Sequence, residues 1–324
     1  MIYLKPFQRK KSIERACHDI KVRKMVDCIP TIISKDTQRA VINILEQITE
    51  NAKAGKVTDN HEIRLYAKRL VEEVISNQSA MVNLEKIRNY DKYTLIHSIN
   101  VCLLSVLTGF ELNFSHQELE ELALGAILHD LGKILIKDSI LNKSDELNSL
   151  EFEEMKKHPY HSYCFLSEDT TIGEIPKVIA YQHHERYNGS GYPRSLSGNQ
   201  INDYAVVTAL ADVYDALTTD RIYRKGFLPY EAMKIILSSS PQMFCSKITK
   251  AFVQSISIYP SGSLVKLNTG DIGIIIRVNK KSLLRPVVRL LLAPGKESYK
   301  EINDLDLSKE LDYYITSPIE MEIC

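Results

Sequence analysis

The sequence predicts a mainly α protein with three parts: a helical N-terminal unit (residues 1–84), an all-helical core (85–259) and a small β-rich C-terminal extension (260–324). Three observations lead there. Apolar residues recur at helical spacing from Asp36 to Ile258, and capping residues, Pro and Gly punctuate them. Past Pro260 this gives way to aliphatic runs separated by turn residues. The 324 residues, 44% apolar and 25% charged, are of ordinary globular composition and enough for two or three compact units.

Lys plus Arg balance Asp plus Glu at 41 each, so no overall field draws in a nucleic-acid polymer or an anionic membrane. Local charge leaves room for a small anionic ligand. The six cysteines (Cys17, Cys28, Cys102, Cys164, Cys245 and Cys324) form no C-x-x-C pair and fall mostly in apolar helical patterns. Reduced thiols and a cytoplasmic setting are expected. The first residues, Met1 to Phe7, meet charge at once and lack the apolar segment of a signal peptide. The longest apolar stretch, Val101 to Phe110, is interrupted by Ser105, Thr108 and Gly109 and is too short to span a bilayer.

Residues 1–24 carry eight basic side chains against Glu14 and Asp19, which reads as a solvated face. From Asp36, the positions Ala40, Val41, Ile44, Leu45 and Ile48 mark a helix ended by Gly55. A second helix, about Asn60 to Ser76, turns Ile63, Tyr66, Ala67, Leu70, Val71, Val74 and Ile75 inward. A third opens near Asp91, stays apolar to Leu107 and is expected to stop at Gly109 as its C-cap; His97 lies inside it. Ser115 and Glu118 have capping-box spacing and open a fourth helix. That helix delivers His129 and Asp130 at its end, with Lys133 one turn beyond.

After a linker containing Lys137, Asp138, Asn142 and Lys143, a helix from about Leu150 ends at His158-Pro159, where the proline is expected to turn His158 off the axis. Another, starting near Pro176, ends in His183-His184-Glu185 and a loop whose Gly189 and Gly191 let backbone approach a ligand. From Asp203 to Leu217, Asp212 interrupts a buried apolar set, and a carboxylate there is costly unless paired or metal-bound. Asp215 reads as an ion-pair partner for an arginine, while Arg221 and Arg224 are spaced to grip phosphate oxygens. Helices near Pro229–Ser239 and Ser246–Ile258 close the core. Beyond it, Ser263–Leu267, Ile272–Val278 and Val287–Leu292, with a turn at Lys280-Lys281, predict a small antiparallel sheet or barrel.

Taken one at a time, His97, His129, Asp130, His158, His183, His184 and Asp212 have ordinary explanations as core histidines, capped helix ends or loop residues. Seven such residues at helix ends or on apolar helix faces are hard to explain that way. Mixed imidazole and carboxylate donors suit iron, manganese or a similar ion and do not look like a structural zinc site.

The motifs His129-Asp130-Leu131-Gly132-Lys133, His158-Pro159, His183-His184-Glu185 leading to Gly189-Ser190-Gly191-Tyr192-Pro193, and Asp212 to Leu217 leading to Asp220-Arg221-Ile222-Tyr223-Arg224 resemble the HD-GYP family, a branch of the HD phosphohydrolases. The likeness covers about Tyr93 to Lys225. It implies an all-helical HD-domain core and hydrolysis of the bacterial second messenger cyclic di-GMP to linear pGpG, with further cleavage to GMP left open. It also implies two or three divalent transition metal ions, often iron or manganese. His97, His129, Asp130 and Asp212 would hold one, and Asp130 would bridge to a second held by His158, His183 and His184. Some relatives bind a third metal through a glutamate one turn before the first histidine; Tyr93 stands there, so two are expected.

On this reading the cations, about 3.5–4 Å apart, ionise a bridging water that attacks phosphorus. Asp130 and Lys133 are the catalytic residues. Lys133 neutralises phosphoryl charge, Tyr192, Arg221 and Arg224 hold the substrate phosphates, and Glu185 orients an imidazole. The alternatives are an HD phosphohydrolase acting on another nucleotide and a non-catalytic cyclic-dinucleotide receptor. Retention of every core ligand favours an enzyme. A homodimer is left open, and no chemistry is expected of the extension.

Overall fold

The computed structural model describes residues 32–54, 61–77, 93–143, 145–219, 226–256, 259, 261–279, 282–294 and 303–319, the side chains of Tyr93 and Thr94 excepted. The basic run at 1–24, the side chain standing in for the third-metal glutamate, Arg221, Arg224 and the Lys280-Lys281 turn lie outside the described residues.

Helix α1 (Lys35–Lys53) starts where the Ser34 hydroxyl accepts from the Thr37 amide, and it buries Val41, Ile44, Leu45 and Ile48 at helical spacing. Helix α2 (His61–Ser76) buries Ile63, Ala67, Leu70, Val71 and Val74 in the same way. Helix α3 (Tyr93–Glu111) does not stop at Gly109, contrary to expectation. The glycine is there for packing: a Cβ would meet Leu122 Cδ2 at 2.8 Å and Leu119 Cδ2 at 2.9 Å, so its absence lets the next helix come close. The chain leaves the helix at Asn113, which takes the left-handed conformation with φ 62°.

Helix α4 (His116–Leu128) opens on the expected capping box, with the Ser115 amide donating to Glu118 Oε2 at 2.7 Å and the Glu118 amide to Ser115 Oγ at 3.3 Å. His129 is its C-cap residue. A 3-10 turn (Leu131–Leu135) and a one-turn helix α5 (Asp138–Leu141) occupy the expected linker, followed by α6 (Ser149–Met155). Helix α7 (His158–Glu168) corrects a second expectation. Pro159 sits in its first turn, where the missing N–H forfeits nothing, so it starts a helix in which His158 is the first residue rather than turned off the axis, while α6 has already ended at Met155. Then follow α8 (Glu174–Gln182), α9 (Asp203–Thr218), α10 (Pro229–Met243) and α11 (Ser246–Ser255). Helix α10 outruns its expected end at Ser239 because Pro241 falls in its last turn, where it removes a single backbone bond.

Helices α3, α4 and α9 form the centre of one apolar core, into which α1 and α2 also bury their inner faces. Phe252 of α11 is fully buried there, its ring edge-on to Tyr214 at 5.4 Å. Phe252→Ala is expected to cost about 3–5 kcal/mol through lost burial and the cavity left behind, read as a lowered urea midpoint.

The extension is an antiparallel sheet ordered β4-β3-β2-β1-β5: β1 (Leu264–Leu267), β2 (Ile272–Arg277), β3 (Val287–Leu292), β4 (Asn303–Asp306) and β5 (Ile315–Ile319). The first three are the expected runs. Strand β4 has no apolar alternation to reveal it; it is held by its ladder with β3 and by Arg289, whose Nε and Nη2 donate to the two Asp304 carboxylate oxygens at 2.6 and 2.8 Å. Among the described residues Cys102, Cys164 and Cys245 are free thiols, and no helix is long and apolar enough to cross a membrane.

Candidate metal centre

Five helices deliver the seven expected donors to a single place. His97 comes from the second turn of α3, His129 and Asp130 from the end of α4, His158 from the first residue of α7, His183 and His184 from the end of α8, and Asp212 from α9. Their donor atoms fall into two groups, Asp130 with His158, His183 and His184, and His97 with His129 and Asp212. Within each group they all lie within 4.8 Å of one another.

Asp130 joins the groups. Its Oδ1 faces His158 Nε2 at 3.3 Å and His183 Nε2 at 3.7 Å. Its Oδ2 faces His129 Nε2 at 3.3 Å, His97 Nε2 at 3.8 Å and Lys133 Nζ at 2.5 Å. Asp212 Oδ1 lies 3.3 Å from His97 Nε2.

The backbone decides which nitrogen each ring offers. His129 Nδ1 donates to the Ala126 carbonyl at 2.7 Å, His158 Nδ1 to Met155 at 2.7 Å and His183 Nδ1 to Ala180 at 2.9 Å. A carbonyl oxygen only accepts, so the proton is on Nδ1 and the neutral ring turns an Nε2 lone pair to the centre. This is how a metal-ligating histidine is held. Helix ends make it possible, since their last carbonyls lack intrahelical partners.

The donors fit a divalent cation on two counts. His129 Nε2 and Asp130 Oδ1 are buried without a hydrogen-bond partner, which is costly in a folded protein. His158 Nε2 and His183 Nε2 stand 3.3 Å apart, close enough for a hydrogen bond, yet with both Nδ1 atoms protonated the neutral rings bring two lone pairs together. A cation between such atoms makes the contact attractive.

Burial lowers the pKa of His183 to about 4, against the opposing pull of Asp130. Burial and the neighbouring imidazoles hold His184 well below the usual histidine range. Burial would raise the two carboxyls, but the Lys133 ammonium keeps Asp130 ionised and the protonated His97 does the same for Asp212. These are the ligating protonation states. His97 is the exception. Burial opposes its charge, but the Asp212 and Asp215 carboxylates outweigh that and raise its pKa to about 10. A cation on Nε2 would take that proton's place.

Two assignments made from sequence change here. Asp215 was read as an arginine's partner. It is buried beneath His97, accepting from His97 Nδ1 at 2.7 Å and from Asn100 Nδ2 at 2.7 Å. The available signal was its spacing, three residues after Asp212 on one helix face. Glu185 touches no imidazole: its carboxylate accepts the Arg194 amide at 2.7 Å and the Leu196 amide at 2.9 Å, anchoring the Gly189–Pro193 loop against α8. Tyr192 of that loop stacks on His184, ring centroids 4.7 Å apart and planes at 27°. Asp215→Asn keeps an acceptor for His97 but removes the charge. It is expected to weaken metal binding about 10–100-fold, measured by competition with a chelator.

The HD domain family matches residues 69–245, and a KOW domain associated with HD domains matches residues 264–323. A cyclic di-GMP phosphodiesterase of Pseudomonas aeruginosa is 32% identical over 243 residues, 75% of this chain and 58% of its own length. One from Borreliella burgdorferi is 28% identical over 204 residues, 63% of this chain and 54% of its own. This chain thus spans little more than half the length of these curated relatives. The solved structure of an HDG"Y"P protein from Bdellovibrio bacteriovorus superposes with a TM-score of 0.56 at 24% identity, covering 75% of this chain and 76% of that one, a likeness of fold.

Proposed function

Because this chain belongs to the HD domain family, we propose that it is a metal-dependent phosphodiesterase that hydrolyses cyclic di-GMP to linear pGpG. It would use two divalent transition ions, iron or manganese, seated on either side of Asp130. The observation that carries this reading is the division of labour at that carboxylate, each oxygen turned to a separate set of imidazoles. A bridging carboxylate between two cation seats needs that arrangement. Mixed N and O donors without thiolate favour iron or manganese. Residues 85–259 are assigned the chemistry, flanked by the 1–84 unit and the 260–324 extension.

Cations held there supply Lewis acidity toward phosphoryl oxygens and an ionised water near neutral pH. The chain's own residues do the rest. The Nδ1 bonds keep the rings from turning, so the site is organised before substrate arrives. Lys133 sets an ammonium beside Asp130 at the rim, 27% exposed, where it can neutralise charge on a bound phosphoryl group. Tyr192 walls one side of the cluster. Arg221 and Arg224 are assigned to the substrate phosphates from their motif. The free thiols of Cys102, Cys164 and Cys245 accord with action in the reducing cytoplasm.

The test is to purify the full chain without oxygen, count its metals and separate the products formed from cyclic di-GMP. Linear pGpG from protein holding about two metals is expected. Metal-loaded protein that leaves cyclic di-GMP intact while cleaving another nucleotide would replace the substrate assignment. Tight binding without turnover would make the chain a receptor.

A further inference from the structure

Beside the metal cluster lies a group of side chains that the proposed chemistry does not use. Helix α6 has no buried residue, yet it carries Phe152, which is 44% exposed. The ring is not lost in solvent. It stands edge-on to Tyr192 at 6.3 Å, and Tyr192 in turn lies on the ring of His184. Lys156, the C-cap residue of α6, holds its ammonium 4.8 Å from the Phe152 centroid and 5.9 Å from that of Tyr192. Its ion pair with Glu153, 2.7 Å long, joins the half-buried Lys156 to an exposed carboxylate and leaves further N–H donors on the ammonium.

The position of α6 is set with some care for a helix that adds nothing to the core. Asn148 and Glu151 close a capping box at its start, and Lys143 pairs with Glu151 at 2.6 Å. An aromatic face and a cation are thereby held one ring beyond a metal-centre histidine. A flat, electron-rich ligand with acceptor atoms on its edge suits that combination: the face stacks and the ammonium donates to the edge. In a cyclic dinucleotide the base is the group that projects away from the phosphate by the width of a ribose.

We propose that Phe152 and Lys156 form the seat of one purine base of the substrate, with the base stacked against Phe152 and Lys156 donating to the O6 and N7 acceptors of guanine. Adenine offers an amino donor where guanine has O6, so the same lysine favours guanine over adenine. The seat rests on the phosphodiesterase reading, but its test does not need turnover.

In the full metal-loaded chain, Phe152→Ala should weaken equilibrium binding of 5′-GMP, and raise KM for cyclic di-GMP, by about tenfold. Metal content should not change, and the effect should fall on KM rather than kcat. Phe152→Tyr should restore both values, which a purely structural role for the ring would not require. Lys156→Ala should reduce the preference for cyclic di-GMP over cyclic di-AMP by about tenfold. Equal 5′-GMP binding by Phe152→Ala and the parent chain would overturn the seat, as would failure of Phe152→Tyr to restore it. A parent chain that binds 5′-GMP through Phe152 but cleaves no cyclic dinucleotide would instead remove the phosphodiesterase reading and leave the seat standing.

Discussion

Asp130→Ala is expected to empty both cation seats at once and to lower hydrolysis by more than about 100-fold. Removing a residue that only orients a ligand typically costs about 10–100-fold in metal affinity or activity. Asp130 is a donor in its own right, and each of its oxygens faces a different set of imidazoles. Its loss would also leave His158 and His183 turned toward one another with no carboxylate between them. Elemental analysis of the purified variant alongside its turnover checks this. Protein that keeps both metals and its rate would dismiss Asp130 as the shared ligand. Asp212→Ala should behave differently and release metal mainly from the seat it shares with His97 and His129.

Gly132→Ala is the second large effect, and it acts through the backbone. A Cβ at Gly132 would run into the carbonyl oxygen of His158 and the amide nitrogen of Ser162, so the first turn of α7 would have to move away. The Gly132 amide also donates to Ser162 Oγ at 2.8 Å in a buried bond that the move would stretch. Overpacking of this kind costs roughly 1–3 kcal/mol. His158 starts α7, so the same shift carries its Nε2 away from Asp130. A lowered urea midpoint together with metal loss from the His158, His183 and His184 seat is expected. A variant with an unchanged midpoint and full metal content would show that the turn absorbs the methyl group without moving α7.

Most of the helical frame could be read along the chain because its cues are local. The Ser115 and Glu118 box forms as its spacing predicts, and the apolar faces of α1 and α2 are buried where the 3.6-residue period puts them. Local cues also misled. Gly109 looked like a stop signal, yet its missing side chain serves the approach of α4, a contact with residues ten and more positions away. Pro159 looked like the end of a helix, yet it begins one. Strand β4 gave no signal, since its place comes from pairing with β3 and the Arg289–Asp304 pair.

The same division runs through the metal centre. Short motifs, through their resemblance to a known family, single out seven donors and the loop that follows the paired histidines. They could not tell that Asp215 holds His97, that Glu185 anchors a loop, or that Asp130 turns one oxygen to each set of rings. Residue type and spacing are properties of neighbouring positions, and they are visible as soon as the letters are known. Which nitrogen His129, His158 and His183 present is set by a carbonyl three residues back, but which carboxylate a ring meets depends on atoms as distant in the chain as those of His97 and Asp215 being packed to within about 3 Å, and only the folded core brings them there.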